Sequence, residues 1–149
     1  MVGAGPSCDT NAFSEYVQKN MKLYSLSNSL ELNTEATAHF IRKELAIALR
    51  KAPYQANLLL AGYDQDTGPS LYWMDYMASF AKVNFGAHGY ASNFIISVFD
   101  REYKYDMSVE EALEVVKKCL HELKTRFLIH QPNFSIKIVD KDGIRPIEL

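Results

Sequence analysis

An excess of charge of either sign is missing from this 149-residue sequence. Sixteen Lys and Arg stand against eighteen Asp and Glu, a net of −2. With no basic stripe to neutralise phosphates, nucleic acid is not expected as a partner. No apolar run approaches the roughly 20 residues that a membrane helix needs, so no membrane partner is expected either. Cysteine is scarce: Cys8 and Cys119 lie far apart and at no metal-ligand spacing, and two free thiols in a reducing compartment are expected. Met1 to Pro6 lack the charged start and apolar stretch of a secretory leader, which makes cytoplasm and nucleus the expected address. Also absent are GxSxG, the phosphate-binding P-loop, GxGxxG and HExxH.

What is present is ordinary globular composition, 48% apolar and 23% charged. That is too apolar and too evenly charged for a disordered chain. The length suits one domain over residues 1–149 with a core of its own.

Along the chain, Met1 to Pro6 read as the tail of a strand or a loop. Ser7 or Asp9 can cap a first helix whose stripe is Ala12, Phe13, Tyr16, Val17, Asn20, Leu23 and Tyr24, and which a polar loop from Ser25 to Ser29 ends. Asn33 or Thr34 caps a second helix with Ala36, Phe40, Ile41, Leu45, Ala48 and Leu49 on its apolar face, and Pro53 stops it. Asn57 to Tyr63 and Leu71 to Met77, either side of the turn-rich Asp64 to Pro69, predict strand, turn, strand. Both faces of this pair are largely apolar, so the sheet should be covered on both sides. Ser79 to Gly89 holds small residues and two glycines. A third helix is predicted over Ala91 to Phe99. The fourth is the clearest: Ser108 and Glu111 fit a capping box, and Val109, Ala112, Leu113, Val116, Leu120, Leu123 and Phe127 follow at helical spacing. Phe134, Ile136 and Ile138 alternate as a strand, Asp140 to Gly143 is a hairpin turn, and Ile144 to Ile147 is a closing strand.

Few residues carry a chemical signal. Asp64-x-Asp66-x-Gly68 lacks the later ligands of a calcium loop and reads as a turn. His88 is the one histidine in a glycine-rich stretch, yet no nucleophile is legible near it. His121 falls on the polar side of the fourth helix. Cys119 reads as a structural thiol, and Cys8, just before the first helix, lacks a partner base. Nine Tyr and eight Phe are an excess. Tyr63, Tyr72, Trp73, Tyr76, Tyr90, Tyr103 and Tyr105 fit either a core with wetted tyrosine edges or a protein–protein contact surface.

Several segments together resemble the β subunits of the 20S proteasome, most of all the inactive beta type-2 branch in eukaryotes. They are Phe13 to Asn20, Pro53 to Asp64, Met74-Asp75-Tyr76, Ala87-His88-Gly89-Tyr90 and Asp140 to Ile144. The resemblance covers essentially the whole chain. It implies an α+β fold: a four-layer α-β-β-α sandwich of the N-terminal nucleophile hydrolase type, here lacking the first strands. Peptide-cutting members use an N-terminal threonine exposed by cleavage after glycine, tuned by an aspartate and a lysine. This sequence holds no Gly-Thr dipeptide and starts at a point matching the end of an early family strand. Tyr90 falls where active members carry a serine between glycines, and Phe127 and His130 fall where they carry an aspartate and a serine. The resemblance therefore implies no catalytic residue, no cofactor and no metal.

The function expected is that of a non-catalytic structural subunit, not an enzyme by itself. Its partners would be the other α and β subunits of a 28-subunit barrel whose assembly is a threonine-type endopeptidase of ubiquitin- and proteasome-dependent protein degradation. The third and fourth helices face the opposite β ring in that family, which offers Tyr90, Asp100, Arg101 and Tyr103 as contact residues. Two alternatives stand beside this reading: an active threonine peptidase whose starting segment is not in this sequence, and a stand-alone α/β protein using Cys8 or His88.

Overall fold

The structure, a computed structural model, describes residues 1–148. Its elements run β1 (Val2–Ala4), α1 (Ser7–Asn28), α2 (Thr34–Leu49), β2 (Asn57–Asp64), β3 (Gly68–Met74), β4 (Phe80–Lys82), α3 (Ser92–Glu102), α4 (Val109–Arg126), β5 (Ile136–Asp140) and β6 (Gly143–Ile147). Strands β1 to β4 form one antiparallel sheet in sequence order, and β5 and β6 form a second. Helices α1 and α2 cover the first sheet, β5 packs on its other face, and α3 and α4 pair with each other on the far side. Helices outside and sheets inside give the expected layering.

Alternation along β2 and β3 builds the main core. Leu58 and Leu60 on β2, with Tyr72 and Met74 on β3, are buried against Phe13 and Val17 of α1 and Ala38, Ile41 and Leu45 of α2. Their neighbours Leu59, Leu71 and Trp73 point the other way and are only half-buried. Both faces are apolar as expected, but the second is incompletely covered.

Local chemistry corrects several expectations. Neither Ser7 nor Asp9 caps α1. The carbonyl of Pro6 accepts from the backbone N–H groups of Asp9 and Thr10, while the Asp9 carboxylate accepts from the N–H of Gln55, 2.9 Å away, and ties the lead-in of β2 to α1. The loop expected at Ser25 to Ser29 is helix as far as Asn28; Asn28 donates back to the Tyr24 carbonyl, and Ser29 ends the helix at φ 52°. The buried stripe of α1 is Thr10, Phe13 and Val17, while Leu23 is exposed. Strand β3 stops at Met74, because Asp75 accepts from the N–H groups of Met77 and Ser79 and turns the chain into the short β4. Helix α3 reaches Glu102, and α4 buries Val115, Cys119 and Leu123 in place of most of the stripe expected for it.

Other expectations match. Asn33 caps α2 by accepting from the N–H of Ala36 at 2.8 Å. Ser108 and Glu111 form the reciprocal capping box. Asp64 does more than form a turn: both its carboxylate oxygens accept from the Thr34 N–H at 3.1 Å, joining the β2–β3 hairpin to the start of α2. Gly62 permits that approach, since a Cβ there would stand 2.0 Å from Thr34 Oγ1.

Candidate subunit interface

The pairing of α3 with α4 leaves an apolar surface at one end. The pair is held by Val98, Val115 and Cys119, with Ile95, Phe99 and Met107 packed around them. Burial pushes the Cys119 thiol pKa up, which keeps it protonated and unreactive, the structural role expected of it. Cys8 is exposed, and both cysteines are free.

Asp100 and Arg101 are exposed near the C-terminus of α3. Arg101 Nε donates to Glu102 Oε1 at 2.8 Å, and Lys118 Nζ reaches Glu102 Oε2 at 2.6 Å. These bonds, that from Lys118 first, hold the Glu102 carboxyl below the usual carboxylate range. Tyr103 turns inward: it is half-buried, its ring 5.3 Å from that of Phe85, which also meets Phe99 at 5.4 Å. Tyr90 is 74% exposed, and its ring lies 6.0 Å from that of Phe127, which also touches Phe94 at 5.5 Å. The four candidates thus divide. Asp100, Arg101 and Tyr103 cluster at one end of α3, and Tyr90 lies just before the other end.

After α4, sequence reasoning singled out Phe127 and His130 but not the two residues that follow Phe127. Leu128 is 97% exposed and Ile129 62%, directly beyond the Phe127 ring that Tyr90 stacks on. Isolated exposed apolar residues are common, whereas large contiguous apolar patches mark contact surfaces. The only signal was an apolar triplet, Phe127-Leu128-Ile129, at the end of the predicted fourth helix. A cleft of about 710 Å³ also opens between the outer face of the first sheet and the α3–α4 pair, with Leu71, Phe85, Met107 and Val116 among its walls.

His88 is built into the sheet. Its Nε2 lies 3.0 Å from the Leu58 carbonyl, its ring stacks on Trp73 at 4.6 Å, and Trp73 Nε1 donates to the Ala87 carbonyl at 3.3 Å. No nucleophilic side chain is bonded to it among the described residues. His121 is exposed. Among the described residues no group of three or more His, Cys, Asp or Glu is placed to hold a metal ion.

Two antiparallel sheets between two helix pairs define the class: an α+β sandwich of the N-terminal nucleophile hydrolase type. The chain belongs to the proteasome subunit family, whose profile matches residues 1–139. It is 54% identical over 145 residues to Proteasome subunit beta type-2-B of Arabidopsis thaliana, a match spanning 97% of this chain and 73% of that protein. It is 48% identical over 148 residues to Proteasome subunit beta type-2 of Dictyostelium discoideum, covering 97% and 74%. To Proteasome subunit beta type-4 of Saccharomyces cerevisiae it is 42% identical over 147 residues, again 97% and 74%. Membership implies assembly with other proteasome subunits.

Proposed function

We propose that this chain is a non-catalytic structural β subunit of the 20S proteasome core particle, serving ubiquitin- and proteasome-dependent protein degradation in cytoplasm and nucleus. It contributes wall and contact surface to a seven-membered β ring of a 28-subunit barrel, and neighbouring subunits perform the threonine-type cleavage. The observation that carries this reading is the stacked pair Tyr90 and Phe127 beside the exposed Leu128 and Ile129. Resemblance to active members puts Tyr90 at a serine position, and Phe127 and His130 at aspartate and serine positions. An aromatic pair there supplies contact area and no carboxylate. Obligate interfaces commonly bury upwards of about 2,000 Å² and favour such rings.

In this role Tyr90, Asp100 and Arg101 touch neighbouring subunits. Tyr103 supports them from within, since its ring is committed to Phe85. Tyr90 is therefore the cleaner probe, because a Tyr103 variant also disturbs packing inside the subunit.

The test is to tag the chain in its own cells, purify it natively and treat the particle with a covalent probe for threonine nucleophiles. A particle of several hundred kilodaltons, with the probe on other subunits and not on this one, is the expected result. Label on this chain would overturn the non-catalytic reading and favour an active peptidase. A lone chain would overturn the assembly and return attention to Cys8 and His88.

A further inference from the structure

We propose that His88 and Trp73 are positioning residues for the contact surface: acting from inside the subunit, they fix where Tyr90 stands. The inference rests on the structural-subunit reading, in which Tyr90 touches a neighbouring chain. Between Lys82, where β4 ends, and Ser92, where α3 begins, the chain forms neither helix nor strand. Val83 N–H donates to the Leu71 carbonyl at 2.9 Å, but among the described residues no backbone N–H from Asn84 to His88 has a backbone carbonyl as partner. Side chains hold this stretch instead. His88 Nε2–H donates to the Leu58 carbonyl of β2 at 3.0 Å. The imidazole stacks on the Trp73 ring of β3, with centroids 4.6 Å apart and 24° between the planes. The Trp73 indole N–H donates to the Ala87 carbonyl at 3.3 Å, so each of the two side chains bonds to the backbone of the other's segment or sheet. Gly86 permits the close approach, since a Cβ there would stand 3.2 Å from the Trp73 side chain and 3.3 Å from that of Leu59.

Tyr90 lies two residues beyond His88, past a turn at Gly89 with φ 74°. Its ring is 74% exposed and stacks on Phe127 at 6.0 Å. One such ring pair holds a side chain only weakly, so the backbone beneath must set its place. The anchors for that backbone belong to the enclosed half of the molecule. The Leu58 side chain is wholly buried in the main core, and Trp73 stands opposite Leu59 in the β2–β3 ladder. The bonds of His88 and Trp73 thus carry the order of the core sheet out to an exposed ring. A neighbour that docks on a Tyr90 already in place does not have to order the segment. A released segment would add that ordering cost to the association.

The test is a double-mutant cycle on the tagged full chain in its own cells, read as the ratio of chain in the native particle to free chain. Tyr90→Ala should lower that ratio about tenfold or more, as removal of a central interface ring does. His88→Ala should lower it about fivefold, the worth of one hydrogen bond. The double variant should lose no more than Tyr90→Ala alone, because His88 acts only through Tyr90. A merely structural role would instead give losses that multiply. Trp73→Phe keeps a stacking ring and deletes only the bond to Ala87. It should lower the ratio about twofold to threefold, again with nothing added to Tyr90→Ala, and it decides the matter if His88→Ala does not fold. Losses that multiply in either double variant overturn the positioning role. So does an unchanged ratio in His88→Ala and Trp73→Phe while Tyr90→Ala is impaired. No loss from Tyr90→Ala itself overturns the contact assigned to that ring, and the positioning role with it.

Discussion

The two helix pairs make opposite use of the same sandwich. Helices α1 and α2 close over the first sheet so fully that Phe13, Ile41, Leu45, Leu58 and Met74 are wholly buried. Helices α3 and α4 bury mainly the seam between themselves, and their surroundings leave Tyr90, Leu128, Ile129 and Ile144 in solvent. The first pair also exposes Tyr16, Leu23, Tyr24, Leu26 and Ile47, and Leu30 follows α1, but this pair still encloses the larger core. The contrast separates two duties. One half encloses the larger core of the subunit, and the other leaves the apolar surface that the proposed role assigns to contact with other chains.

Substitutions can break or sharpen that contrast. Phe13→Ala should cost the most, about 3–5 kcal/mol of unfolding free energy by urea titration, because the ring is fully enclosed. A cost near 1 kcal/mol would mean that the first half is not the main core. Val115→Ala removes two methyl groups from the thinner seam and should cost about 1–2 kcal/mol in the same titration; equality with Phe13→Ala would erase the distinction. Ser108→Ala deletes one arm of the capping box and should cost about 1 kcal/mol, seen also as faster exchange in the first turn of α4. Leu128→Ser should change the isolated chain by less than about 0.5 kcal/mol, since the side chain is 97% exposed. It should nevertheless lower the fraction of tagged chain recovered in the native particle. A stability loss without an assembly loss would reverse the duties assigned to the two halves.

Where local chemistry alone decides structure, the sequence was readable. The Ser108–Glu111 box, the Asn33 cap and the hairpin at Asp140 to Gly143 all formed as the residue types demand. Strand β4 was not legible, because three residues are too few to show a period. The face of α4 was misjudged for a different reason: it has two apolar stripes. Val115, Cys119 and Leu123 are buried, whereas Ala112 and Val116 line the cleft, and one helical period cannot rank them without knowing what lies opposite. The candidate interface was half legible. Exposed charges at Asp100 and Arg101 follow from helical position. That Tyr103 turns inward, and that Leu128 and Ile129 emerge beside Tyr90, depends on contacts between segments distant in sequence.

The meeting of Thr34 with Gly62 and Asp64 has a mechanical consequence. Thr34 sits over the one residue of β2 without a side chain, where a Cβ would stand 2.0 Å from its hydroxyl oxygen, and its N–H is held by the Asp64 carboxylate. On the same face of the strand Leu60 stands on one side of this notch and Asp64 on the other. The helix is keyed to the strand: sliding in either direction drives Thr34 against a side chain. Helix α2 and the β2–β3 hairpin are therefore interlocked at this point against sliding of one layer over the other.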